Sequence, residues 1–189
     1  MTEFDDVLRL VAEADLPSDV GWPPTGATTV DLQRLRDDLG FEPPAVLTRW
    51  LSICNGSLAG EGGLLGANLS GPREHLDMSF CLDLLPGWRE RRWLPVAGDG
   101  CGDYYVLDAS QSHYPGDAIF FVDQSDYDAL DYAVASDLPT FLRQHLLCLL
   151  DPDPELDSTP RWPFDRAITL AVDPRLAELR TPRLLPWNS

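Results

Sequence analysis

Lysine is absent from this chain. All 14 basic residues are arginine, set against 31 aspartates and glutamates, for a formal net charge of −17. From Trp93 to Leu142 arginine is missing as well. Nine aspartates fall in that stretch: Asp99, Asp103, Asp108, Asp117, Asp123, Asp126, Asp128, Asp131 and Asp137. A region so charged repels nucleic acid and anionic membranes, because holding phosphate requires cations. Two readings of the surplus stand side by side. It is a solvated face that keeps the chain dispersed, or a surface that draws in a basic partner.

Histidine is scarce. His75, His113 and His145 are the only three, poor material for a general base. The cysteines Cys54, Cys81, Cys101 and Cys148 form no CxxC pair and have no histidine at ligand spacing, which argues against zinc. Cys54 and Cys148 fall on apolar helical faces and are expected to be buried; Cys101 sits in a Gly-rich turn and is expected at the surface. No apolar run approaches the roughly 18–20 residues that span a bilayer. The start, Met1-Thr2-Glu3-Phe4-Asp5-Asp6, is acidic where a secretory signal is basic. The expectation is a cytoplasmic protein with neither a nucleic-acid nor a membrane partner.

Familiar catalytic signatures are also missing. There is no GxGxxG, P-loop, GxSxG or HExxH. Aspartates on exposed loops stay ionised near neutral pH and make poor acids. Ser110 and Ser112 beside His113 are the nearest approach to a nucleophile–base pair. The run from Asp123 to Asp131 packs four aspartates into nine residues, oxygen donors of the kind calcium takes. It departs from EF-hand order, with no glycine sixth and no glutamate twelfth. The expectation is therefore no catalytic, cofactor or metal residue.

What is present suits one domain with an appendage. Of 189 residues, 44% are hydrophobic and six are tryptophan, enough for a sizeable core. Phe4, Val7, Leu8 and Val11 recur at helical spacing and predict an amphipathic helix over residues 2–14. A Pro/Gly-rich loop follows, with Trp22 expected to pack on the core. Thr28 with Asp31 makes an imperfect capping box for a helix lined by Leu32, Leu35 and Leu39 and closed by Gly40. Pro43-Pro44 opens a second helix over residues 45–54, with Leu47, Trp50, Leu51 and Cys54 on one stripe and Asn55-Gly56 as its stop. Together they predict a helical hairpin. Residues 63–65 suggest a short strand and residues 76–85 a short helix. Arg89, Arg91 and Arg92 form the one cationic cluster, either paired with carboxylates and stacked on Trp88 or Trp93, or reserved for an anion on a partner.

The centre reads as strand, turn, strand. Trp93, Leu94, Val96 and Ala97 form an apolar run; Asp99-Gly100-Cys101-Gly102-Asp103 is dense in turn formers; Tyr104, Tyr105, Val106 and Leu107 favour a strand. Residues 118–122 give another strand, and Tyr132 with Val134 another. Ser136 or Asp137 then caps a helix over residues 138–149, buried through Leu138, Phe141, Leu142, His145, Leu146 and Leu149. Beyond it, Asp151-Pro152-Asp153-Pro154 ends the helix and begins a Pro-rich tail. Ile168, Leu170 and Val172 alternate as in a strand or extend a short helix, and Asp173 is expected to cap a helix reaching Arg180.

The order Trp93-Leu94-Pro95-Val96-Ala97, Asp99-Gly100, Gly102-Asp103-Tyr104-Tyr105, Leu107-Asp108 resembles the central signature of the SUKH superfamily. That group includes the fungal cell-wall assembly regulator and many bacterial toxin-immunity proteins. Phe41-Glu42-Pro43-Pro44 with Leu47, Trp50, Leu51 and Asn55-Gly56 is similar to its N-terminal helix and stop. Phe120-Phe121-Val122-Asp123 resembles its next strand, and Leu138-Pro139-Thr140-Phe141-Leu142 its closing helix. The likeness spans roughly residues 28–150. It implies a binding fold, not an enzyme, with Trp93, Pro95, Asp99, Gly100, Gly102, Asp103 and Tyr104 as signature positions.

The fold expected is α+β: a helical hairpin beside a twisted antiparallel sheet of about four to six strands, a closing helix, and a C-terminal tail. Residues 1–150 form the SUKH-like domain, and the Pro-rich extension 151–189 packs on it. The function expected is a protein–protein binding module. The resemblance implies an immunity protein that neutralises a toxin, of nuclease or deaminase type and basic in charge. The candidate contacts are Asp99, Asp103, Asp123, Asp126, Asp128 and Asp131. The alternatives are an intracellular scaffold or regulator with an endogenous partner, and a module binding calcium or a small ligand at the Gly-rich turn.

Overall fold

A computed structural model describes residues 4–13, 25–59, 62–150 and 165–188, with Leu149 described in its backbone alone. Trp22, the 151–154 helix stop and the start of the tail lie outside the described residues.

The chain opens with α1 (Asp5–Glu13), whose first turn carries Asp5 and Asp6 at the positive end of the helix dipole. Its buried stripe is Phe4, Val7 and Leu10, while Leu8, expected inside, faces out. Helix α2 (Thr29–Leu39) starts at a complete capping box. The Asp31 amide donates to Thr28 Oγ1 at 3.2 Å, and the Thr28 amide donates to Asp31 Oδ2 at 2.9 Å. Leu35 and Leu39 are buried on its inner face, and Gly40 closes it. Pro44 precedes α3 (Ala45–Leu51), where Val46, Leu47, Trp50 and Leu51 are all buried. Phe4 stacks on Trp50 at 6.1 Å between centroids, so the first helix is fastened to the third.

Asn55 then holds the next loop. Its side-chain amide donates to the Ala67 carbonyl at 3.0 Å, and its Oδ1 accepts from the Ala67 amide at 2.6 Å. The strand expected near Gly63 exists only as isolated bridges. Leu64 pairs with Ser57 and with Ala97, and the Leu65 amide donates to the Val96 carbonyl at 2.9 Å. This loop covers the outer edge of the sheet, which would otherwise expose unpaired backbone groups. Beyond it the chain makes a 3-10 turn (Gly71–Leu76), then α4 (Met78–Leu84), capped by Asp77, and α5 (Gly87–Arg91). Helix α5 went unforeseen.

The sheet is a four-stranded antiparallel meander in the order β1-β2-β3-β4. Its strands are β1 (Trp93–Gly98), β2 (Tyr104–Asp108), β3 (Ile119–Val122) and β4 (Tyr132–Ala135). Pro95 is tolerated because β1 pairs with the meander on one side only, and the register slips directly after it, between Pro95 and Ala97. The strands are apolar on nearly every residue because both faces are covered. Helices α4 and α5 lie against β1, and α6 (Leu138–Leu150) lies against β4 and α1. Asp137 caps α6 by accepting from the Thr140 amide at 2.8 Å. Leu138, Phe141, Leu142, His145 and Leu146 are buried on it, but Cys148 is exposed: it lies on the last turn, past Leu146.

Residues 166–172 settle as a helix, α7 (Arg166–Val172), because Asp165 Oδ1 accepts from the amides of Ala167 and Ile168. Asp173 does not cap a following helix. Its carboxylate, 3% exposed, accepts from the Ser136 amide at 2.6 Å and so ties the C-terminal segment to the end of β4. A 3-10 turn (Pro174–Glu178) replaces the helix expected there. Leu176, Leu179 and Leu184 of this segment are buried in the same core as the sheet. Among the described residues, no helix is long and apolar enough to cross a membrane.

Candidate functional site

In a meander, the first and third connections lie at the same end of the sheet. The β1–β2 turn (residues 99–103) and the β3–β4 loop (residues 123–131) are the two most Asp-rich segments of the strand region, and the topology brings them together.

Asp99 organises the first. Its Oδ1 accepts from the Cys101 amide at 2.8 Å and the Asp103 amide at 3.0 Å, and its own amide donates to the Asp103 carbonyl. Gly100 at φ +86° and Gly102 at φ +110° take backbone conformations closed to most side chains. Asp99 is 5% exposed. Expected among the partner contacts, it instead turns its carboxylate onto its own loop.

The second loop repeats the device. Asp123 Oδ1 accepts from the Ser125 amide at 2.7 Å, Asp126 Oδ1 from the Asp128 amide at 3.0 Å, and Asp131 Oδ2 from the Asp123 amide at 2.8 Å. The Ser125 bonds hold the Asp123 carboxyl below its ordinary range. Asp126, Asp128 and Asp131 are exposed, while Asp103 and Asp123 are half-buried.

Side chains that composition did not single out lock the loops to each other. The Gln124 amide donates to Asp103 Oδ1 at 2.8 Å, and Gln124 Nε2 donates to the Cys101 carbonyl at 3.0 Å. Tyr127 donates its hydroxyl to the Gly102 carbonyl at 2.7 Å. From beneath, Trp88 Nε1 donates to the Tyr127 carbonyl at 2.7 Å, with the Trp88 ring edge-on to Trp93, Tyr104 and Tyr127. Two signature residues, Trp93 and Tyr104, thus belong to the aromatic cluster that carries the acidic loops.

The arginine trio is occupied inside the fold. Arg89 bridges Asp38 and Asp83, each at 2.7 Å. Arg91 pairs with Asp128 at 2.7 Å and lies over the Trp93 ring; Arg92 lies over Phe41. Among the described residues, Asp128 is the one member of the six candidate aspartates with an ion-pair partner. Burial is the largest cause pushing the Asp103 carboxyl above its ordinary value; the Gln124 amide opposes it, and the neighbouring charges of Asp99 and Asp123 add to it.

Beside the β1–β2 turn the surface dips into an open cavity of about 300 Å³, walled by Leu58, Leu65, His75, Asp103, Tyr104 and the backbone of four glycines. Gly62 forms the near wall. A methyl group there would meet the Gly98 carbonyl carbon at 2.3 Å and the Gly100 amide nitrogen at 2.5 Å, so the covering loop sits directly on the turn.

The other candidates do not assemble. Ser110 and Ser112 hydrogen-bond each other and the buried Asp108, whereas His113 Nδ1 faces Thr181 Oγ1 at 3.1 Å. Ser110 and Ser112 are thus turned to Asp108 and His113 to Thr181, and among the described residues these serines do not pair with His113. Among the described residues, no three His, Cys, Asp or Glu side chains are placed to hold a metal ion.

No curated protein matches the chain. Residues 26–144, well over half of it, match the family model described as the SMI1 / KNR4 family (SUKH-1), and this span holds every signature position together with both acidic loops. The chain belongs to the SMI1 / KNR4 (SUKH-1) family.

Proposed function

We propose that this protein is an immunity protein that binds and neutralises a cognate toxin, a nuclease or deaminase with a basic substrate groove, through the acidic end of its sheet. The SUKH family is known in general for immunity and protein-binding roles, and its domains are generally non-catalytic. One observation carries the finer reading. Asp103, Asp123, Asp126 and Asp131 lie on two loops pinned together at one end of a sheet, and none of them has an ion-pair partner among the described residues. Fixed charges of one sign on a rigid platform raise the encounter rate with a basic protein, and salt weakens the effect. They cover a nucleic-acid-binding groove by presenting carboxylates where phosphates would lie.

The test begins with the partner captured on the immobilised protein at low salt and identified. Its association is then timed by stopped flow with wild type and with a variant carrying Asp123→Asn, Asp126→Asn, Asp128→Asn and Asp131→Asn. Asparagine keeps each loop's acceptor and removes four charges. The expected result is a rate lowered about tenfold or more at low ionic strength, converging with wild type at high salt. An unchanged rate and salt slope would refute the acidic-face mechanism. A captured partner with no toxic activity, against which the protein protects no cell, would refute the immunity role in favour of an endogenous scaffold.

A further inference from the structure

We propose that the cavity beside the β1–β2 turn is an anchor pocket for one arginine side chain of the protein partner. The inference rests on the acidic-face reading and names the contact at its centre. At about 300 Å³ the cavity lies at the lower limit of small-molecule pockets, which suits one inserted side chain better than a cofactor. Its lining combines the apolar and acidic groups that a long cationic side chain requires, with His75 also on the wall. Leu58 and Leu65 offer apolar surface for a methylene stem. The half-buried Tyr104 lines the cavity with an aromatic residue suited to a planar cation, and Asp103 lines it with a carboxylate residue. The glycines contribute backbone only, so a ligand approaches the turn closely.

The electrostatics select the sign. Asp103 is half-buried, has no ion-pair partner among the described residues, and lies beside the like charges of Asp99 and Asp123. A cation entering the pocket relieves that repulsion, whereas an anion or a second carboxylate aggravates it. The shape selects the cation. A guanidinium stacks on an aromatic face and forks onto a carboxylate; an ammonium does neither as well. Arginine anchors seated in desolvated pockets are also among the groups that dominate binding energy at protein interfaces.

The experiment is an amide NMR titration of the full chain with N-acetyl-arginine amide, with the norleucine and lysine analogues in parallel. Saturable shifts are expected at Gly62, Leu65, Gly98, Gly100, Gly102 and Tyr104 with arginine, weaker with lysine and absent with norleucine. Asp103→Asn keeps the acceptor for the Gln124 amide and should weaken arginine binding about tenfold or more. Leu58→Ser, at a position 41% exposed and so tolerant of change, should weaken it several-fold. Shifts spread without saturation over residues 123–131, or an equal response to all three compounds, would overturn the pocket. So would Asp103→Asn and Leu58→Ser proteins, both folded by their amide spectra, that bind as wild type does. Shifts at these amides that depend on protein concentration alone would assign the pocket to an arginine of a second copy and overturn the partner assignment. The fourfold asparagine variant separates the two proposals. If it slows the partner while arginine fails to bind, the pocket falls and the acidic face stands. If arginine binds but that variant leaves the partner's rate unchanged, the acidic face falls.

Discussion

Asp99 offers the sharpest distinction between a carboxylate that builds the site and one that meets a partner. A single oxygen, Oδ1, accepts from the Cys101 and Asp103 amides, and the residue is 5% exposed. Asp99→Ala takes the acceptor from two backbone donors in the β1–β2 turn. Hydrogen bonds to a charged acceptor contribute about 1.5–3 kcal/mol each, and the two share one oxygen, so a loss of about 3 kcal/mol is expected. For a chain of this size that lowers the unfolding midpoint by about 6–12 °C. Asp99→Asn retains Oδ1 and removes the negative charge beside Asp103. It should unfold within about 1 kcal/mol of wild type, and the Asp103 carboxyl should titrate closer to its ordinary value. Thermal unfolding followed by circular dichroism measures the first pair of outcomes, and carbon NMR of the carboxyl groups measures the second. An Asp99→Ala protein as stable as wild type would refute the turn-building role. An Asp99→Asn protein that slowed the partner as much as Asp103→Asn would return Asp99 to the binding surface.

Two further outcomes probe the scaffold away from the acidic loops. His145 is 1% exposed on α6, with Nε2 3.4 Å from the Ala59 carbonyl and no partner for Nδ1 among the described residues; burial lowers its pKa from 6.5 to about 4. Because the folded value lies below the unfolded one, protonation favours the unfolded chain. The stabilisation is complete above about pH 6.5 and is lost as pH falls toward 4, by about 3 kcal/mol. Urea unfolding across that range should show this loss in wild type and not in His145→Leu; equal slopes would refute the assignment. Leu176, fully buried and outside the family-matched span, should cost about 2–5 kcal/mol when changed to alanine, read by the same urea midpoint. An unmoved midpoint would mean that the C-terminal segment does not share the domain's core.

Much of the scaffold was legible because it is written in local signals. The Thr28 and Asp31 capping box, the stripe Leu47, Trp50 and Leu51, and the strand runs on either side of the Gly-rich turn depend on neighbours a few residues apart. The failures share a different cause. Helix α5 is five residues long and ends at Arg92 with φ +57°, a length and an ending that periodicity cannot register. Asp173 sat where a helix cap belongs, yet Ser136, far away in the chain, claims its carboxylate. Leu8 matched the helical stripe, but Leu10 occupies the core side instead.

The aspartates show where charge counting stops and geometry begins. Sequence placed a negative stretch between Trp93 and Leu142 and singled out six of its nine aspartates, but it did not distinguish among the six. The fold divides the aspartates of the stretch by hydrogen-bonding partner. Asp99 and Asp108 are buried and hold turns; Asp128 is answered by Arg91; Asp126 and Asp131 remain exposed, with no cation beside them among the described residues. Gln124, Tyr127 and Trp88 carry little compositional signal, yet they fix where those charges stand. A loop already held by such bonds loses little conformational freedom when a partner arrives, so more of the electrostatic attraction survives as affinity. On the proposed reading, the same six aspartates on two slack loops would give an equal net charge and a weaker binder. The value of this surface therefore lies in the bonds between the two loops as much as in the charge they carry.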